Sequence, residues 1–117
     1  MKAIIEVGKP GSIYGAAAQQ IADARQGRTP DYRLSFESAR SLFAELTPSR
    51  LELLNALRGL GPCRVEKLAY TAERDPAKTR ADVVRLEELG LIERTADGTV
   101  SVPFDAVEIL FPLAHVA

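Results

Sequence analysis

An α+β fold is what this sequence predicts, and three observations carry the prediction. From Thr47 to Leu89 apolar residues recur at helical spacing, interrupted by two proline-led helix starts. Two β-prone runs follow at once, Leu91–Arg94 and Thr99–Val102, with Asp97-Gly98 between them as a tight-turn signal. Outside this block, Lys2–Val7, Tyr32–Phe36 and the apolar run after residue 106 read as strands.

The first element is Lys2-Ala3-Ile4-Ile5-Glu6-Val7, an apolar run closed by the turn Gly8-Lys9-Pro10-Gly11. Ser12 can cap a helix in which Tyr14, Ala17, Ala18, Ile21 and Ala22 share a side, and Gly27-Arg28-Thr29-Pro30 ends it. Tyr32–Phe36 then alternates polar and apolar residues, as a half-buried strand does. A second helix would set Ala39, Leu42, Phe43 and Leu46 on one side. Two short strands and an Ala-rich helix bury little by themselves, so this part needs a partner within or outside the chain.

At residue 47 the signals sharpen. Thr47 is a good N-cap and Pro48 stands where its missing N–H costs nothing. Leu51, Leu54 and Leu57 line one face, Leu53 and Leu60 widen it, and Gly61-Pro62 stops the helix. Cys63-Arg64-Val65-Glu66 has capping-box spacing with Cys in the cap position, opening a short helix with Val65, Leu68 and Ala69 inward. Asp75-Pro76 starts a third helix that runs to about Leu89. Three helices with a very short turn between the last two have the layout of a helix-turn-helix.

At about 100° per residue, Thr79, Val83 and Leu86 of the third helix fall on one face. Lys78, Ala81 and Arg85 fall on the other, with Asp82 beside them. Gly90 sits where a left-handed C′ residue belongs, letting Leu91 fold back over Leu86. A helix trio followed directly by a two-stranded ribbon defines a winged helix, whose wing would set Arg94, Thr95 and Thr99 beside the third helix. The expected organisation is a strand-helix-strand element at 1–45 with an oligomerisation role, a winged-helix domain at 46–102, and a C-terminal strand and tail at 103–117.

The sequence also resembles known families. Leu68-Ala69 and the run Arg85-Leu86-Glu87-Glu88-Leu89-Gly90-Leu91-Ile92-Glu93-Arg94 resemble the second helix and the helix-to-wing junction of MarR- and ArsR-type winged-helix regulators. Leu34-Ser35-Phe36-Glu37-Ser38, Leu46-Thr47-Pro48-Ser49-Arg50-Leu51-Glu52-Leu53-Leu54 and Val102-Pro103-Phe104-Asp105 are similar to a narrower group of small DNA-binding proteins. Members of that group often stand beside a TumE-like toxin and act as its antitoxin. The resemblance therefore implies double-stranded DNA as a partner and a toxin protein as a second one.

Composition limits these readings. Across the chain, 15 Lys and Arg face 16 Asp and Glu. Residues 1–45 hold six basic and five acidic side chains, 46–102 nine and nine, and 103–117 none and two. No segment is strongly basic, so any affinity for DNA must come from a local patch, doubled by dimerisation. Cys63 and His115, the lone residues of their kinds, cannot assemble a four-ligand zinc site, and no metal or cofactor is expected. Gly8-Lys9-Pro10-Gly11-Ser12 lacks phosphate-loop spacing, and Pro10 removes an N–H that a phosphate would need. No reactive cluster pairs carboxylates or sets a base beside a nucleophile, so the chain is not read as an enzyme. It has no signal-peptide pattern and no run of eighteen apolar residues, which predicts a cytoplasmic protein with no membrane partner.

The expected function is that of a sequence-specific DNA-binding regulator, dimeric, and an antitoxin that represses its own operon. Lys78 and Arg80 are the candidates for base edges, with Thr79 partly buried at the contact, and Arg85, Arg94 and Thr99 for phosphates. Residues 1–36 and 104–113 would carry the dimer contacts. The other reading is a winged-helix protein-interaction module that binds no DNA, which the near-zero charge favours. For Val107–Leu113, apolar on both faces, a strand within the monomer and burial against a partner both stay open.

Overall fold

The computed structural model describes residues 1–8 and 31–113. Among them the chain is α+β, with β1 (Lys2–Val7), β2 (Tyr32–Phe36), α1 (Ala39–Glu45), α2 (Pro48–Leu60), α3 (Val65–Thr71), α4 (Pro76–Glu88), β3 (Glu93–Arg94), β4 (Val100–Ser101) and β5 (Ala106–Leu110). Two compact units emerge. Met1–Glu45 joins Asp105–Ala117 in one, and Leu46–Phe104 forms the other. The helix expected from Ser12 onward lies outside the described residues, as does His115. No described helix is long and apolar enough to cross a membrane.

The first unit is built on a three-stranded sheet of order β2-β1-β5 in which both pairings are parallel. Register sorts the side chains by face. Ala3 pairs with Tyr32 and Val107, and Ile5 with Leu34 and Ile109, so one face is apolar throughout. The other carries Lys2, Glu6, Arg33 and Glu108, and it is stitched by charge. Arg33 pairs with the buried Glu6 across β1 and β2, and Lys2 reaches Glu108 at 3.0 Å across β1 and β5. A carboxylate as buried as Glu6 persists because its desolvation is offset by that partner.

Two expectations change here. Residues 103–117 are not a separate appendage: β5 completes the sheet of the first unit beside β1, and the second unit extends to Phe104. Parallel neighbours need a crossover, and the chain between β1 and its neighbour β5 contains the whole of Leu46–Phe104. The second departure is on α1. Ser38 and Ser41 cap its start reciprocally, each backbone N–H donating to the other's Oγ at 3.1–3.2 Å. Leu42 and Leu46 are buried, but Phe43, expected on their side, is 53% exposed, because one residue turns the helix by about 100°.

In the second unit the local signals act as the sequence suggests. Thr47 Oγ1 accepts from Arg50 N at 3.2 Å, with Pro48 in the first turn of α2. Leu53, Leu54 and Leu57 are the buried residues of that helix, while Leu51 and Leu60 sit at its margin. Asp75 caps α4 by accepting from Lys78 N at 2.9 Å, and Thr79, Val83 and Leu86 form the buried stripe. Beyond α4, Gly90 at φ +80° donates to Glu87 O and Leu91 donates to Leu86 O, both at 2.9 Å. That is a Schellman ending, and it brings Leu91 back to a fully buried position. The same pair of bonds ends α3, from Glu73 to Tyr70 and Arg74 to Ala69, with Glu73 rather than glycine at φ +54°.

The hairpin after α4 is short: Glu93 pairs with Ser101 and Arg94 with Val100, antiparallel. Thr95 N donates to Thr99 O and Gly98 N to Thr95 O, giving a three-residue loop with Gly98 at φ +86°. Cys63 does not cap α3. It forms an isolated bridge with Val100, exchanging bonds of 3.1 and 2.8 Å, and so adds a third rung to the hairpin's edge. The N-cap of α3 is Arg64, whose side chain makes no capping bond. Burial raises the Cys63 thiol above its ordinary pKa.

Candidate functional site

The second unit holds nine basic and nine acidic side chains, yet they are not evenly mixed. Three of the cations are tied into the fold. Arg50 Nε of α2 donates to Asp82 Oδ1 of α4 at 3.0 Å. Arg58 Nη1 donates to Val102 O at 3.1 Å. Arg74 Nη1 donates to Ser49 Oγ at 2.7 Å and Nη2 to Ser49 O at 3.1 Å, with Glu52 nearby. These contacts brace α2 against α4, the residue after β4 and the α3–α4 turn.

Another group faces outward around α4. Lys78 and Arg80 are exposed on that helix, and Arg64 and Lys67 are exposed at the start of α3. None of these four makes an ion pair among the described residues. Arg64, Arg80 and Arg94 line one depression of about 240 Å³ with Val65, Glu66, Val84 and Gly98. The Arg64 guanidinium reaches the hairpin turn, its Nη1 standing 3.7 Å from where a Cβ on Gly98 would lie. Val84, 48% exposed, supplies an apolar surface among the guanidinium groups. Three guanidinium-bearing side chains and one carboxylate, Glu66, therefore line the depression.

The other expected residues divide. Lys78 and Arg85 lie on the far flank of α4 from Arg80 by helical angle, and Arg85 bonds Glu88 at 2.9 Å. Arg94 is on the hairpin as expected, but its Nε and Nη2 both donate to Glu87 Oε1 of α4, at 3.0 and 2.7 Å. Those bonds raise its pKa further, so it is cationic at every accessible pH. Arg94 would meet a phosphate with Nε and Nη2 already engaged by Glu87.

One expected contact is corrected, and another is already engaged within the hairpin. Thr79 is 1% exposed, and its Oγ1 donates to Asp75 O at 2.8 Å, so it packs α4 and cannot touch a ligand. Thr99 is occupied within its own turn: its N–H and Oγ1 both donate to Asp97 Oδ1, at 3.1 and 2.9 Å. The Thr95 hydroxyl bonds the same oxygen. These donors hold the Asp97 carboxyl well below its ordinary 3.8, at about 2. A phosphate at the tip would meet a carboxylate already seated on the donors it needs.

Arg64 is the residue that sequence reasoning passes over. Its neighbour Cys63 looks like a cap, which places Arg64 in an unremarkable first helical turn. Only the bridge from Cys63 to Val100 brings it to the hairpin, and that pairing is non-local.

Among the described residues no group of His, Cys, Asp and Glu could hold a metal ion. A second, more open depression on α3 and the turn after it is lined by Ala69, Tyr70, Glu73, Arg74 and Pro76, with Tyr70 87% exposed. A family model described as HVO_A0114 matches residues 45–109, which is more than half of the chain, and the chain belongs to that family. The match covers the second unit and continues through most of β5. No curated protein and no solved structure matches it.

Proposed function

We propose that this HVO_A0114-family chain is a winged-helix DNA-binding regulator in which α4 enters the major groove and the β3–β4 hairpin is the wing. The carrying observation is the division of cations in Leu46–Phe104. Arg50, Arg58 and Arg74 are consumed by the fold, whereas Arg64, Lys78 and Arg80 project from α4 and its surroundings without an ion-pair partner among the described residues. A near-neutral protein can bind a polyanion when its positive charge is segregated in this way.

In this reading Arg80, and Lys78 on the opposite flank, reach base edges. Ala77 and Ala81 between them allow close approach. Arg64 and Arg94 take the backbone beside the hairpin, and Arg85 takes it at the end of α4. The likeness to small antitoxins extends the reading to a repressor of its own operon that also binds a toxin protein.

One observation favours the second reading, a protein-docking module. Tyr70 and Val84 are exposed apolar residues on α3 and α4, beside a unit of zero net charge. Titrating a labelled duplex of the protein's own upstream region at two salt concentrations separates the two. A regulator binds it in a salt-dependent way. A docking module retains no DNA even at low salt.

A further inference from the structure

The two edges of the β2-β1-β5 sheet are finished differently. On β2, Tyr32, Leu34 and Phe36 are half-buried, Ser35 is the exposed residue, and α1 packs against the strand. On β5 and the residues after it, Ile109 is 40% exposed, Leu110 52%, Phe111 56% and Leu113 79%. Soluble proteins blunt open edges with lysine, proline, bulges or inward charge. Residues 106–110 contain neither Lys nor Pro, and their register with β1 runs unbroken from Lys2–Ala106 to Glu6–Leu110. The single charge, Glu108, is satisfied by Lys2 of the same chain. Among the described residues this edge is unbroken in register and apolar, and its one charge is paired, which suits a strand that another strand covers.

We infer that β5 pairs antiparallel with β5 of a second copy, joining two three-stranded sheets into one six-stranded sheet. The residue order selects the occupant. A two-fold axis perpendicular to the sheet keeps like faces together, so opposed residues must share a face. Centred on Ile109, such a pairing sets Ile109 against its equivalent and Val107, on the same apolar face, against Phe111 of the other chain. Glu108 then lies opposite Leu110. Centring on Glu108 would instead oppose two carboxylates, which is unfavourable for cross-strand neighbours. Centring on Val107 would leave Phe111 uncovered. The strand is self-complementary in the register centred on Ile109, and Pro112 follows directly after the last paired position. This inference is independent of DNA binding and sharpens the dimer expectation to one strand.

The test uses the full chain. Sedimentation equilibrium at micromolar concentration gives a dimer for the native chain and a monomer for Ile109→Lys, which puts two ammonium groups on the axis. Thermal unfolding of Ile109→Lys at high dilution checks that the fold survives. Ile109→Cys supplies a second readout that does not depend on that variant. Opposed antiparallel residues have Cα atoms about 4.5–5.5 Å apart, within the span of a disulfide. Mild oxidation therefore links Ile109→Cys into a covalent dimer, whereas Glu108→Cys, displaced diagonally, and the native chain with its buried Cys63 do not link. A native chain that stays monomeric overturns the inference. So does a dimer in which Ile109→Cys fails to cross-link or Glu108→Cys links equally well.

Discussion

Arg50, Arg58 and Arg74 differ from Arg64, Lys78 and Arg80 in nothing that a composition count can see. The first three end on carboxylates, carbonyls and a hydroxyl of their own unit. The other three end in solvent around α4. A balance of nine against nine therefore conceals which cations are engaged within the unit and which are exposed without an ion-pair partner among the described residues. What decides affinity for a polyanion is where the unneutralised charges lie, because screening limits each to about 8 Å at physiological salt.

The largest expected effect comes from removing the support behind the outer face. Leu86 is fully buried in the stripe that seats α4, so Leu86→Ala should cost about 2–5 kcal/mol, read as a shift in the denaturant midpoint. Arg80→Ala, on the exposed side, should stay within about 0.5 kcal/mol of the native stability. Similar losses from both would break the division between bracing and outward residues.

A smaller effect is expected within the bracing group. The Arg50–Asp82 pair is only 21% and 25% exposed and joins α2 to α4. Arg50→Ala should lower stability by about 1 kcal/mol, with no specific change in ligand binding. A stability change indistinguishable from that of Lys78→Ala would place Arg50 among the outward cations.

The two Schellman endings make a finer comparison. Gly90 and Glu73 occupy the same left-handed position after α4 and α3. Only glycine does so without steric cost. Glu73→Gly should raise the unfolding midpoint, by up to about 1 kcal/mol. A loss of stability would show that the Glu73 side chain contributes more than its backbone costs.

Smallest is the titration of the hairpin tip. Asp97 has a folded pKa of about 2 against an ordinary 3.8, because Thr95 and Thr99 donate to its ionised form. A depressed carboxylate stabilises the fold above its unfolded pKa. That contribution disappears as pH falls from about 4 through 2. Carboxyl chemical shifts should place the Asp97 midpoint near 2, and a midpoint near 3.8 would mean that the turn network is absent.

Much of the second unit is legible in the sequence because its signals are local. Thr47 and Asp75 cap as their positions require, Gly90 and Gly98 take positive φ, and Thr79, Val83 and Leu86 are buried together. What escapes is set by contacts distant in sequence. That β5 lies beside β1 is decided across about a hundred residues, and no periodicity encodes it. The bridge from Cys63 to Val100 is likewise non-local, and with it went the place of Arg64. Thr99 was legible as a hairpin residue but not as a donor already claimed by Asp97, since alternation says nothing about hydroxyl partners. Burial of Thr79 is itself legible, because it shares its stripe with Val83 and Leu86.

In the proposed function α4 reads DNA. That reading is tested most directly by fluorescence anisotropy of a labelled upstream duplex and a random duplex, titrated with the native chain, Arg80→Ala and Arg94→Ala at two salt concentrations. Arg80→Ala should lose about 1–3 kcal/mol on the upstream duplex and much less on random DNA. Arg94→Ala should weaken both alike and reduce the salt slope by about one. Unmeasurably weak binding by the native chain at low salt, or identical losses for both variants on both duplexes, would contradict it.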